Sequence, residues 1–159
     1  MKRDTRTRTR GFSLLEVVIV VAIIAILAAI GIPRMSRGSK GASESAIGGN
    51  LAVLRSAIDL YAAEHGGNFP TLAAIADQLT KYTNFGGEAS ATKVVPTHIY
   101  GPYLRSIPPL PVGAKKGSTG IDSEDGDGIG WLYTEASGVI KANTTLTEKD
   151  EANKLYSDY

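Results

Sequence analysis

From Phe12 to Ile32 the chain is apolar apart from Ser13 and one charged residue, Glu16. As a helix at roughly 1.5 Å per residue, that run is about 31 Å long. A bilayer's hydrocarbon core is about 30 Å thick. A carboxylate inside such a segment costs roughly 2.5–3.5 kcal/mol on insertion scales, so it normally has a partner. The run therefore reads as a segment that enters a membrane first and has its charge satisfied later. Just before it stand Lys2, Arg3, Arg6, Arg8 and Arg10 against a single acid, Asp4. Basic residues beside a membrane segment stay on the cytoplasmic side. The N-terminus is expected inside, and everything after Pro33 outside.

An ordinary secretory signal peptide would have an apolar region of about 7–15 residues followed by a small-residue cleavage site. Ala25, Ala28 and Ala29 offer such a site. The length of the run, the presence of Glu16 and the helix-compatible sequence beyond it argue against this reading, and against a plain single-span anchor.

Gly11-Phe12-Ser13-Leu14-Leu15-Glu16, the apolar run and Pro33 together resemble the class III signal of type IV prepilins and type II secretion pseudopilins. The resemblance covers about the first 35 residues. It implies that a prepilin peptidase cuts after Gly11 on the cytoplasmic side and methylates the new N-terminal residue, Phe12. Glu16 matches the glutamate four residues after the new terminus, and Pro33 the proline that ends the first part of the family's long helix. It further implies an α+β, pilin-like fold: a long N-terminal helix, membrane-embedded in its first half, packed on a small C-terminal head with a short antiparallel sheet.

The chemistry of the motif is coherent by itself. Cleavage would leave a free amine at Phe12, one helical turn from Glu16 and equally near the Glu16 of an adjacent subunit. Opposite charges about 4 Å apart attract by roughly 4 kcal/mol at an effective dielectric near 20. That offsets the insertion cost and sets an axial stagger between neighbouring helices, which apolar packing specifies poorly. The alternative is that Glu16 snorkels to the interface or stays neutral in the bilayer.

Formal net charge is +1, and the leader carries +4, which leaves −3 on the rest. A mildly acidic remainder with no basic stripe gives no support to nucleic-acid binding. The chain has no cysteine, so no disulfide can staple the fold. Many type IV pilins carry such a disulfide, and its absence leans the resemblance towards a pseudopilin, or towards one of the cysteine-free pilins.

Residues 34–49 are small and polar and include Gly38, Gly41, Gly48 and Gly49. Each interior glycine costs a helix about 1 kcal/mol against alanine. Either a continuous, slightly irregular helix or a segment that bends or melts fits this composition. From Ile47 the pattern firms: Ile47, Leu51, Leu54, Ile58, Tyr61 and His65 form a helical stripe, ended by Gly66-Gly67. His65 reads as a helix-end packing residue rather than a ligand. Thr71 is expected to cap a second helix whose inner face carries Leu72, Ile75, Leu79 and Tyr82. Lys93–Tyr100 has strand character interrupted by Pro96. Pro108, Pro109 and Pro111 exclude a helix or inner strand. The preceding Gly101-Pro102-Tyr103-Leu104 resembles, more loosely, the connection after the helices of major pseudopilins. Gly130–Tyr133 and Gly138–Asn143 read as a hairpin around Thr134–Ser137, and Glu148–Leu155 as a short last helix or a loose tail.

Asp122, Glu124, Asp125 and Asp127 put four acids in six residues. Calcium takes six to eight oxygens, mostly from carboxylates and carbonyls, and the resemblance to major pseudopilins implies a calcium site in a C-terminal loop. The run does not follow the EF-hand register and precedes the hairpin, so a solvated acidic loop is favoured. No other cofactor is expected. Asn143-Thr144-Thr145 fits a glycosylation acceptor pattern. No catalytic constellation is visible, His65 and His98 being far apart, so the chain is not expected to be an enzyme.

The expected organisation is a cleaved leader at 1–11, a transmembrane and filament-core helix at 12–33, its amphipathic continuation at 34–66, and a globular head at 67–159. The expected role is structural: a filament subunit drawn from the bacterial inner membrane, with its head outside the cytoplasm. The pseudopilus of a type II secretion system leads. A type IV pilus for adhesion, motility or DNA uptake is the alternative, and a monomeric membrane-anchored binding module the outsider. Implied partners are the prepilin peptidase/N-methyltransferase, further copies of the chain, minor pseudopilins or pilins, and an inner-membrane assembly platform.

Overall fold

The computed structural model describes residues 12–159, without the side chains of residues 33–37 and 39. Helix α1 spans Leu14–Glu64. The chain divides into two compact units at Lys40/Gly41. From Leu14 onward the described part of the first is helical. A run of Val, Ile and Leu has only modest intrinsic helix propensity. In an apolar medium, however, a helix satisfies every backbone N–H and C=O within the segment itself.

In the second unit α1 supplies one wall of the core. Ile47, Leu51, Leu54, Ile58, Tyr61 and His65 are all buried, while Val53 and Leu60 on the other face are half exposed. The stripe read from the sequence is thus the buried face, and the glycine-bearing stretch before it is helical. Gly66 and Gly67 take φ of +68° and +88°. The Gly67 N–H reaches back to the Ala62 carbonyl at 2.8 Å, a left-handed stop that glycine reaches without a Cβ penalty.

The second helix, α2, is shorter than its apolar spacing suggests, covering only Ile75–Thr80. Thr71 does not cap it. Its N–H and hydroxyl instead turn to the Gln78 side chain, at 2.9 and 3.4 Å. Residues 71–74 close into a turn through Ala74 N–H to Thr71 O, and Tyr82 leaves the helix for a strand. Strands β1 (Tyr82–Thr83) and β2 (Ala89–Ser90) pair antiparallel across the Gly86-Gly87 turn. The strand expected at Lys93–Tyr100 reduces to two isolated bridges, Val94 with His98 and Thr83 with Tyr100.

The main sheet has the order β3 (Gly120–Asp122), β4 (Ile129–Thr134), β5 (Val139–Ala142). The β4–β5 hairpin is antiparallel, with Trp131 opposite Ala142 and Tyr133 opposite Ile140. One 3-10 turn, Glu135–Ser137, joins the two strands. Gly138 follows at φ +67°, where a Cβ would stand 2.5 Å from the Phe69 ring. Strand β3 adds in parallel to β4 with a register shift at Gly120/Ile121, so the sheet is mixed rather than purely antiparallel. Trp131, Tyr133, Ile140 and Ala142 meet Ile75 and Leu79 of α2, the α1 stripe, and Leu110 and Val112 of the proline-rich connection in one core. Trp131 Nε1–H donates to Pro108 O and Tyr133 O–H to Pro70 O, both at 2.8 Å. These bonds satisfy the two polar atoms that come with large aromatic side chains. Glu148–Leu155 forms no helix. It folds on itself through a Lys149–Leu155 bridge and delivers Tyr156 into the core.

Candidate processing and assembly site

Gly11 and the basic leader lie outside the described residues. Phe12 opens the described chain, 83 % exposed, two residues ahead of α1. Val17 N–H closes onto Ser13 O at 3.2 Å, so the helical ladder begins one residue after Phe12. Glu16 sits in the first turn of α1. There a carboxylate also meets the partial positive charge of the unsatisfied N–H groups, worth about 0.3–1 kcal/mol when exposed. Four residues separate Phe12 from Glu16, which on a helix is one turn and one face. An amine at Phe12 and the Glu16 carboxylate would therefore stand on one side of the helix end, facing outward, since Glu16 is exposed.

The helix after Glu16 has one chemical property. Leu14–Ile32 has a mean hydropathy of 3.0 and none of it is buried within the chain. Val17, Ile19, Val20, Ile23, Ile24 and Leu27 are all half exposed or more. It is one helix, among the described residues, long and apolar enough to cross a membrane. Pro33 lies within the bounds of α1.

The acidic loop is a separate place. Asp122 ends β3 and accepts the Ser123 N–H at 2.6 Å. Asp125 is paired with Lys115 and accepts from Asn143 Nδ2 at 2.9 Å. Glu124 and Asp127 are exposed. Among the described residues no three Asp, Glu or His side chains converge as ion ligands, so the four acids are not gathered around one point. Asp125 instead lines a cavity of about 250 Å³ with Lys115, Asn143, Thr144 and Glu148. Burial pushes the Glu148 carboxyl up, but the N–H groups of Thr145 and Ala114 outweigh it and hold the group below the usual carboxylate range. Lys115, Asn143 and Glu148 were not legible as neighbours of this loop, because they come from three other segments. Asn143 is itself buried, its amide engaged by Asp125 and by Ile129 O, which removes the folded chain from consideration as a glycan acceptor there. His65 is also taken up internally. It stacks on Tyr61, and its ring nitrogens meet Tyr61 O, Thr83 Oγ1 and Asn84 O.

Phe12 and Glu16 thus stand one helical turn apart at the start of a bare apolar helix. Residues 6–32 match the prokaryotic N-terminal methylation motif, the class III signal of type IV pilin-like proteins. The long apolar helix, the further helix and the small antiparallel and mixed sheets make an α+β fold of the pilin-like kind. No curated protein and no solved structure matches the chain. The motif implies processing by a prepilin peptidase and assembly into pilin-like filaments.

Proposed function

We propose that the chain is a subunit of a helical filament assembled from the bacterial inner membrane, and that the filament is the pseudopilus of a type II protein secretion system. The observation that carries the filament reading is the pairing of the methylation motif with a 19-residue apolar helix, none of which is buried within the chain. A surface that apolar needs either lipid or copies of itself, and the repeat of one heterologous contact generates an open helix. The cysteine-free sequence and the proline-rich connection after the helices favour the secretion pseudopilus over the type IV pilus. In this reading residues 1–11 are removed, Phe12 is N-methylated, and the Phe12 amine of one subunit pairs with Glu16 of another. The span crosses once, with the head outside the cytoplasm. Minor subunits and an inner-membrane platform are its assembly partners.

Single cysteines along Val17–Ile30 test the filament, because oxidative crosslinking of a polymer gives ladders and a monomeric anchored module gives none. Glu16→Val tests the pairing. Insertion should be kept or improved, since a membrane charge is removed, while ladders and filaments should be lost. Ladders from the parent chain that persist undiminished in Glu16→Val would refute the pairing and leave the filament standing. Deletion of the gene separates the two machines: retained exoproteins indicate secretion, and lost surface fibres a pilus.

A further inference from the structure

The stretch of α1 that opens the second unit is a poor helix by composition. Gly41, Gly48 and Gly49 fall within nine residues, and glycine is the weakest helix former after proline. Ser45 Oγ donates back to Gly41 O at 3.0 Å, a bond that slightly weakens and bends helices. Ile47 is the one fully buried hydrophobic residue of 41–49. From Asn50 onward the helix has other fastenings: Asn50 Nδ2 donates to Pro109 O at 3.0 Å, and Leu51 and Leu54 are buried.

The segment 148–159 lies against this weak stretch. Tyr156 O–H donates to Glu44 at 3.0 Å, and the Glu151 N–H reaches the same carboxylate at 3.5 Å. The Tyr159 ring lies 3.9 Å from where a Cβ on Gly48 would stand. Arg55 ties the far end, Nη1 donating to Tyr159 O at 2.9 Å and Nη2 to Ile140 O at 3.4 Å. The segment braces itself as well. Tyr159 O–H donates to Asp150, Lys154 Nζ sits 3.8 Å over the Tyr159 ring, and Tyr156 N–H closes on Glu148 O. It is a preformed piece with two tyrosines directed at α1, rather than a tail.

We propose that residues 148–159 are a latch that holds Gly41–Gly49 of α1 helical, and that releasing the latch lets this stretch open as a local unit while the rest of the head stays folded. Local openings of this kind run well below the free energy of global unfolding. The device needs a helix too weak to stand alone and a separable clamp on it, and both are present. It is independent of which filament the chain builds.

Hydrogen exchange on the full chain in detergent micelles tests it. In Tyr156→Phe with Arg55→Gln, the core packing of the Tyr156 ring is kept while the Tyr156–Glu44 bond and the Arg55 bonds to Tyr159 O and Ile140 O are lost. The amides of 45–51 should then exchange about tenfold faster, with those of 54–61 and the Trp131 fluorescence unchanged. Adding Gly49→Ala, at a position with nothing within 4 Å of a new Cβ, should restore most of the protection by strengthening the helix itself. Unchanged exchange at 45–51 would overturn the latch. So would a uniform rise across the whole head, or a failure of Gly49→Ala to rescue.

Discussion

Leu54 and Val53 are adjacent on α1, yet Leu54 is 0 % and Val53 51 % exposed. Truncating each to alanine therefore tests which face of the helix the head is built on. Leu54→Ala removes three buried carbons. At about 0.8 kcal/mol per methylene the transfer loss is roughly 2.4 kcal/mol, and the cavity left behind raises the total to about 3 kcal/mol. A head of this size loses about 4 °C in Tm per kcal/mol, so the transition should fall by about 12 °C. Val53→Ala removes two half-buried carbons, roughly 0.8 kcal/mol by the same rule. Alanine's better helix propensity returns about 0.6 kcal/mol of that, and Tm should move by under about 2 °C. Trp131 is the chain's single tryptophan and fully buried. Its fluorescence reports melting of the full chain in micelles without an added probe. Shifts of equal size in the two variants would mean that the stripe does not face the core, and would refute the packing described above.

Intact-mass measurement of the native protein should give a chain beginning at Phe12 with one methyl group, and Gly11→Leu should retain the leader; a mature terminus near Ala29 would sink the prepilin reading. The full chain should melt at the same temperature in millimolar calcium and in chelator, because Lys115 and Asn143 already engage Asp125. Calcium at one hundred times its dissociation constant would add about 2.7 kcal/mol, so a rise of about 10 °C would show that the acidic loop binds the ion. Alkaline pH should unfold the head early. Burial, with the nearby Glu135 charge adding to it, pushes the Tyr133 phenol up to about 12, against an unfolded value of about 10. The folded state thus holds that proton more tightly; the contribution is complete below pH 10 and lost as pH rises towards 12, and Tyr133→Phe should flatten that part of the Tm–pH curve.

Local chemistry was legible in the sequence wherever one element carries the whole pattern. The apolar run with its one glutamate, the 47–65 stripe, the Gly66-Gly67 stop and the Trp131 hairpin each repeat at the period of their own backbone. Side-chain placement then follows from geometry within a few residues. The same locality made the N-terminal motif readable, since Gly11, Phe12 and Glu16 fall within six residues of sequence.

What the tertiary structure decided are the pairings between distant segments, whose identity no local period encodes. Strand β3 is three residues long, too short for an alternation to register, and becomes a strand because β4 offers it a free edge. Thr71 could have capped a helix, but its hydroxyl turns to the Gln78 side chain, and α2 starts later. Asp125 reads from the sequence as part of a solvated acidic run, and only the fold brings Lys115 and Asn143 to it from other segments. The charged tail gave no periodic signal. Its structure comes from Tyr156 and Tyr159 closing on Glu44 and Gly48, more than a hundred residues earlier. The sequence by itself determined each element and the membrane-compatible motif, because those rest on short-range sterics and burial. The fold alone determined which distant polar groups satisfy one another, because a buried donor or acceptor takes whatever partner the packed chain leaves within reach.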